Sequence, residues 1–168
     1  MTGTRWRTMN SPVGPLTLAG RGDVLTHLRM DGQTHPPPGR HKWHHDPRAF
    51  GNVVDQLDAY FASELTVFAV DLSLDGTDFQ RSVWQALLEI PYAETRSYGQ
   101  LAERIGRPGA ARAVGWANGH NPIGIIVPCH RVIGAGGALV GYGGGLPRKK
   151  ALLELEQDHG IPRLALDA

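Results

Sequence analysis

The 168-residue sequence predicts a small α/β unit over residues 1–76, followed by a mostly helical unit with a helix-turn-helix over 77–168. Three observations predict this. Two segments near the start alternate apolar and polar residues, as strands with one buried face do. "DGTD" at 75–78 breaks that pattern, and the chain beyond it turns helical. Two short helical patterns then follow, separated by about three residues, which is the spacing of a helix-turn-helix.

"MNSPVGPLTLAG" and "VLTHLRM", with turn residues between them, read as strands of an antiparallel meander. "DGQTHPPPGRHKWHHDP", from 31 to 47, is rich in Pro, Gly and His and reads as a long irregular loop. Asp46 is placed to cap a helix with Pro47 in its first turn. That helix, through "RAFGNVVDQLDAYFAS", puts Phe50, Val53, Val54, Leu57, Tyr60 and Phe61 on one face. "TVFAVDLSL" is expected as a further strand. Beyond the break, "DFQRSVWQALLEI" sets Phe79, Val83, Trp84, Leu87 and Leu88 on one stripe, and Pro91 stops it. "SYGQLAERIG" is a short helix with Ser97 as its cap. "PGAARAVGWANGHN" is another, with Pro108 at its start. Its many Gly and Ala residues would let it approach another surface closely. "IIVPCHRVIG" runs through the core, and "AGGALVGYGGG" is a hairpin-like wing or a loop. "LPRKKALLELEQDHG" is a final amphipathic helix, basic at its start.

The composition, 41% hydrophobic and 20% charged, is that of an ordinary globular protein. No apolar run reaches about 18 residues, so no membrane span is expected. "MTGTRWRTMNSPVG" lacks the apolar core of a signal peptide, and a cytoplasmic location is the expectation. A single cysteine excludes an internal disulfide framework and suits a reducing compartment. The net charge of +1 is unevenly spread: residues 96–150 carry +7 and the remainder −6. A basic segment of this kind fits a polyanion-binding face. The alternative is a solvated surface with acids nearby in space.

The only cysteine, Cys129, is either a small buried filler or a nucleophile. A relay through His130 and a carboxylate of the final helix, Glu154 or Glu156, would lower its pKa and make a thiolate. His35, His41, His44 and His45 crowd one loop, but without a cysteine or acidic partner at metal-site spacing they read as exposed polar residues. "GYGGG" lacks the Lys-Ser/Thr of a phosphate-binding loop. Arg112 is a solvated helix charge or a side chain that enters a duplex. Tyr98 is core, or its hydroxyl meets a phosphate or base. Asn121 is a turn residue before Pro122, or it bridges backbone groups and orients the cysteine segment.

"PCHRV" at 128–132, preceded by "RAVGWANGHNPIGIIV", resembles the active-site segment of the O6-alkylguanine-DNA alkyltransferases. The resemblance extends through "FQRSVWQALLEIPYAETRSYGQLAERIG" upstream and "GYGGGLPRKKALLELE" downstream. It is dense over 78–158 and looser in "SPVGPLTLAG" and "LDAYFASEL". It implies a ribonuclease H-like α/β N-terminal fold, a mostly helical winged helix-turn-helix C-terminal domain and direct-reversal DNA repair. The alkyl group of O6-alkylguanine would pass irreversibly to Cys129 in a single turnover, with O4-alkylthymine left open as a substrate. His130 would be a base acting through water, Glu156 its orienting carboxylate and Asn121 a hinge. Tyr98 would help rotate the nucleotide and protonate the leaving guanine. Arg112 would fill the space left by the flipped base, on a helix whose Ala111, Ala113 and Gly115 permit close approach to the minor groove. The carbonyls of Cys129 and Val132 would read the exocyclic amine, the Gly143 N–H would lie near O6, and Tyr142 would wall the alkyl pocket.

The resemblance implies no cofactor. It also implies no metal, since the chain lacks the N-terminal cysteines that hold zinc in some relatives. The implied partner is alkylated double-stranded DNA, bound by a monomer, with cooperative assembly on DNA left open. Trp116, bulky on an otherwise small helix, packs inward or alters how that helix meets DNA. A non-catalytic lesion binder would lack the acceptor cysteine. A plain winged-helix protein would need no Cys–His–Glu register. A hydrolytic cysteine enzyme would need an oxyanion site, for which the sequence has no motif.

Overall fold

A computed structural model describes residues 3–160; residues 161–168, the end of the expected second unit, lie outside the described residues. Strands β1 (Arg5–Met9), β2 (Leu16–Arg21) and β3 (Val24–Met30) form the antiparallel meander. A two-residue strand, β4 (His44–His45), joins β1 in parallel, giving the order β3-β2-β1-β4. Leu16 pairs with Met30 and Leu18 with Leu28, and all four are buried, so alternation sets which face meets the core.

Helix α1 (Gly51–Phe61) adds Val53, Leu57 and Tyr60 to that core. It begins at Gly51, not at the expected Asp46–Pro47. The Asp46 carboxylate accepts the Arg48 N–H at 3.0 Å and pairs with Arg5 at 2.8 Å. Phe50, at φ 57, then turns the chain into the helix in a left-handed conformation that helical continuation forbids. "TVFAVDLSL" is not a strand either. It meets β3 at one bridge, Leu72 beside Leu25. The Gln56 side chain takes both the N–H and the C=O of Ala69, at 2.8 and 3.0 Å, so that backbone is satisfied without a ladder.

Helix α2 (Asp78–Leu88) opens on a capping box between Thr77 and Gln80. Strand β5 (Arg96–Ser97) leads into α3 (Tyr98–Arg104), which has a second capping box between Ser97 and Gln100. Helix α4 (Ala111–Gly119) starts three residues beyond Pro108. Pro108 sits in the preceding turn, which the Ala110 N–H closes onto Arg107 O at 2.9 Å. Strand β6 (Val132–Ile133) pairs in parallel with β5 and ties the cysteine segment to α3. Residues 135–145 take the loop alternative, with a single 3-10 turn at Ala135–Gly137. Helix α5 (Leu146–Gly160) closes the fold. No described helix is long and apolar enough to cross a membrane.

One buried cluster runs through the sheet and the helical part. The segment before the cysteine is stitched to the free edge of β3: Leu28 N–H donates to Pro122 O at 3.0 Å, and Gly124 N–H to Leu28 O at 3.1 Å.

Candidate active site

The segment "NPIGIIVPCHR" crosses the core in tight reversals. Asn121, buried, donates from Nδ2 to Val127 O at 2.8 Å and accepts the Ile123 N–H on Oδ1 at 3.0 Å. Inside that clamp Ile125 has φ 68, and Ile126 N–H reaches Gly124 O at 2.7 Å. This is a γ-turn of the strained hand, rare for a β-branched residue. Pro128, at φ −81 and ψ 64, makes an inverse γ-turn closed by Cys129 N–H on Val127 O at 2.8 Å. Cys129 then opens a single 3-10 turn, Cys129–Arg131, in which all three residues are buried.

Glu156 of α5 is the centre of the buried polar group. Its Oε2 lies 2.6 Å from His130 Nε2 and accepts from Tyr60 Oη at 2.5 Å and Arg131 Nη2 at 3.1 Å. Its Oε1 accepts from Arg131 Nε at 2.8 Å and the Ala93 N–H at 3.3 Å. Glu154, the alternative carboxylate, is exposed and lies 3.9 Å from Lys150; residues two apart on a helix do not share a face. Burial would raise the Glu156 carboxyl, but hydrogen bonds and charge from His130 and Arg131 outweigh it and hold it down to about 2. Burial keeps the His130 pKa below its ordinary value despite the pull of Glu156. A neutral imidazole with Nε2 against a carboxylate carries its proton on Nε2, leaving Nδ1 as an acceptor. Nδ1 is buried and meets no protein partner among the described residues.

The thiol departs from the expectation of a lowered pKa. Cys129 is 6% exposed, and burial pushes its thiol up; a hydrogen bond from Asn121 and the charge of Lys149 pull the other way without prevailing. Burial thus favours the thiol over the thiolate that the relay was expected to produce. Lys149 is buried, and its ammonium donates to Val132 O, to Val140 O at 2.9 Å and to Gly141 O at 3.4 Å. Tyr98 Oη donates to Val140 O at 3.1 Å, so Tyr98 and Lys149 hold the 134–145 loop by one shared carbonyl. Asn118 Nδ2 reaches Cys129 O at 3.4 Å. Cys129 O also accepts the Val132 N–H, so both of its lone pairs are engaged within the protein. The hydroxyls of Tyr98 and Tyr142 are both pushed up, first by burial and then by the Cys129 sulfur. Gly143 lies against the Gln33 side chain, and Gly144 passes so close to Met30 and Tyr142 that a side chain there would collide.

On α4, Arg112 and Ala113 are exposed, Ala111 and Gly115 half-buried. A side chain at Gly115 would start 3.5 Å from the Tyr98 ring, so this glycine serves the packing of α3 on α4 rather than the outer face. Trp116 points outward, 58% exposed. The loop histidines are dispersed: His35 stacks on His120, and His45 lies beside Trp6. No group of three or more metal-ligating side chains forms among the described residues.

Sequence reading missed four residues of this site: Tyr60, Asn118, Arg131 and Lys149. Arg131 had a signal, its place directly after His130. Lys149 stood among the basic residues at the helix start, and Tyr60 shared the apolar face of α1; neither pattern distinguishes a buried polar role.

Residues 78–158 match the family model of the 6-O-methylguanine DNA methyltransferase DNA-binding domain, and residues 4–74 that of the ribonuclease-like domain of the same family. The chain is 66% identical over 161 residues to the methylated-DNA--protein-cysteine methyltransferase of Mycobacterium tuberculosis, covering 96% of this chain and 97% of that protein. It is 51% identical over 146 residues to the protein of the same name from Methanosarcina acetivorans, covering 87% of this chain and 94% of that one. A crystal structure of Mycobacterium tuberculosis OGT in complex with DNA superposes with a TM-score of 0.90 at 68% identity, over 92% of this chain and 94% of that chain.

Proposed function

This chain belongs to the 6-O-methylguanine DNA methyltransferase family, and we propose that it repairs DNA by moving the alkyl group of O6-alkylguanine onto Cys129. The observation that carries the assignment of Cys129 is the buried pair beside it. Glu156, held ionised, keeps the proton of His130 on Nε2, which leaves Nδ1 as a buried acceptor on the residue that follows the sole cysteine.

The Cys129 proton passes to His130 Nδ1, directly or through water, and the sulfur attacks the alkyl carbon. The S–C bond forms as the C–O6 bond breaks. The imidazolium so formed lies 2.6 Å from the Glu156 carboxylate, which offsets its charge. The guanine leaves as an anion and takes a proton from Tyr98; the phenolate regains one from solvent as the His130 imidazolium releases the proton taken from Cys129, so one proton in all passes from thiol to guanine. A thioether has no easy route back to thiol, so each chain reacts once.

The lesion lies inside a base stack, and extruding it costs a few kcal/mol. Arg112, exposed near the start of α4, is the side chain we assign to the vacated space. Docking of α4 in the minor groove by a monomer belongs to the same proposal, as does a boundary between two units near residue 76. Lys149 and Tyr98, by holding the 134–145 loop, support the placing of Tyr142 and Gly143 at the alkyl pocket.

The test is intact-protein mass spectrometry after incubation with an O6-methylguanine duplex. The expected result is a gain of one methyl per chain, mapped to Cys129 and absent from Cys129→Ser. Methylation of another residue, or continued turnover beyond one per chain, would overturn the assignment.

A further inference from the structure

The outer face of α4 carries a feature that the transfer reaction does not use. Trp116 and His120 stack with ring centres 3.9 Å apart and planes 27° from parallel. His120 stacks in turn on His35, at 4.0 Å and 30°. The three rings form a column from the last turn of α4 to the 31–47 loop.

The column is built, not incidental. His120 Nδ1 lies 2.8 Å from Trp116 O, and this contact fixes the His120 ring. His35 is presented by a non-glycine left-handed turn at φ 59. The two residues before it are clamped by buried Arg29, whose Nη2 donates to Gln33 O at 3.1 Å and Thr34 O at 2.8 Å. Gln33 also packs against Gly143, so the column stands beside the pocket loop.

Trp116 follows Arg112 by one helical turn, and both are exposed. Residues four apart share a helix face. Any duplex that receives Arg112 therefore passes over the indole. An ordered aromatic face beside a guanidinium suits the planar bases and sugar rings of nucleic acid.

We propose that Trp116, His120 and His35 form an aromatic platform that contacts the duplex beside the flipped nucleotide and joins the 31–47 loop to the DNA-binding face. This rests on the repair function proposed above. His120 and His35 act chiefly by bracing the indole.

The test compares wild type with Trp116→Ala, His35→Ala and His35→Phe. It measures the Kd for unmodified duplex by fluorescence anisotropy, and the rate of methyl transfer from lesion duplex and from free O6-methylguanine base. Trp116→Ala is expected to weaken duplex binding on the order of 10-fold while leaving the free-base rate unchanged. His35→Ala should lose a smaller factor, and His35→Phe should recover it, because a ring and not a charge is needed. Wild-type affinity in Trp116→Ala would overturn the platform, as would equal losses on duplex and free base. A His35→Phe protein as weak as His35→Ala would overturn the column. Failure of the wild type to take a methyl from lesion duplex would instead sink the repair reading, and is seen independently of any affinity.

Discussion

At the scale of single residues, the most informative group is Tyr60. It stands 96 residues from Glu156 in sequence, yet its hydroxyl shares Glu156 Oε2 with His130. Burial and the Glu156 charge push its own pKa far up, so it acts only as a donor. Replacing it by Phe keeps the ring and removes one competitor for that oxygen. The carboxylate then holds the His130 proton more strongly, and the His130 pKa rises. In the proposed reaction His130 accepts the thiol proton and must be neutral, so the acid limb of the rate profile should move to higher pH in Tyr60→Phe. Stability should fall by about 2 kcal/mol for the lost bond to a charged group. A rate that drops uniformly, with the limb unmoved, would assign Tyr60 a purely structural part. Nothing local in "LDAYFASEL" separates this tyrosine from its apolar neighbours, because its partner arrives only when α5 packs.

Among the elements, the crossing from 121 to 131 sets the geometry. The sequence places "IIVPCHRVIG" in the core, and its alternatives for Asn121 include the bridging role. What it lacked was the path: two γ-turns, one of them at a buried isoleucine with φ 68. A left-handed β-branched residue persists only where its surroundings over-determine it, and the Asn121 clamp supplies that constraint. Asn121→Ala leaves the Ile123 N–H and the Val127 C=O without this partner in a dry interior. The expected cost is about 2–4 kcal/mol in urea unfolding, with transfer slowed even where the protein is fully folded. A variant within about 0.5 kcal/mol of wild type and equally fast would remove Asn121 from the positioning of the cysteine. By contrast the starts of α2 and α3 were legible, at Asp78 and just after the Ser97 cap, while both helices end two residues before the expected Ile90 and Gly106.

Over the whole molecule, charge in space differs from charge in sequence. The basic window of 96–150 loses Arg131 and Lys149 to the interior, while Arg96 pairs with Glu94 and Arg104 with Glu89 from outside it. Arg112 stays exposed on α4. Buried titratable groups also set the acid limit of the fold. His27 is lowered from 6.5 to about 4, chiefly by burial and then by Arg29. Its folded pKa lies below its unfolded one, so its contribution is full above about 6.5 and is lost as pH falls toward about 4. His130, also lowered, adds to the same loss. Glu156, lowered from 4.5 to about 2, contributes above about 4.5 and loses that contribution as pH falls toward about 2. Thermal midpoints should therefore decline in two stretches on acidification, and His27→Gln should flatten the first while leaving the second. An unchanged slope between pH 6.5 and 4 in that variant would rule out His27 as a contributor.

The sequence by itself determined the meander, the capped helices, the identity of the one thiol and the residue types around it. Alternation, caps and motif spacing act within a few residues, and a reader of the chain can see them. Spacing left Glu154 and Glu156 both open and the family resemblance pointed to Glu156; only the tertiary structure decided that Tyr60 reaches across to the same carboxylate, and that Lys149 turns inward while Trp116 turns out. Those choices depend on which faces are buried when the sheet, the crossing segment and α5 close on one core. They also reverse the expected direction of the thiol pKa, because burial of the crossing segment takes the Cys129 sulfur out of water.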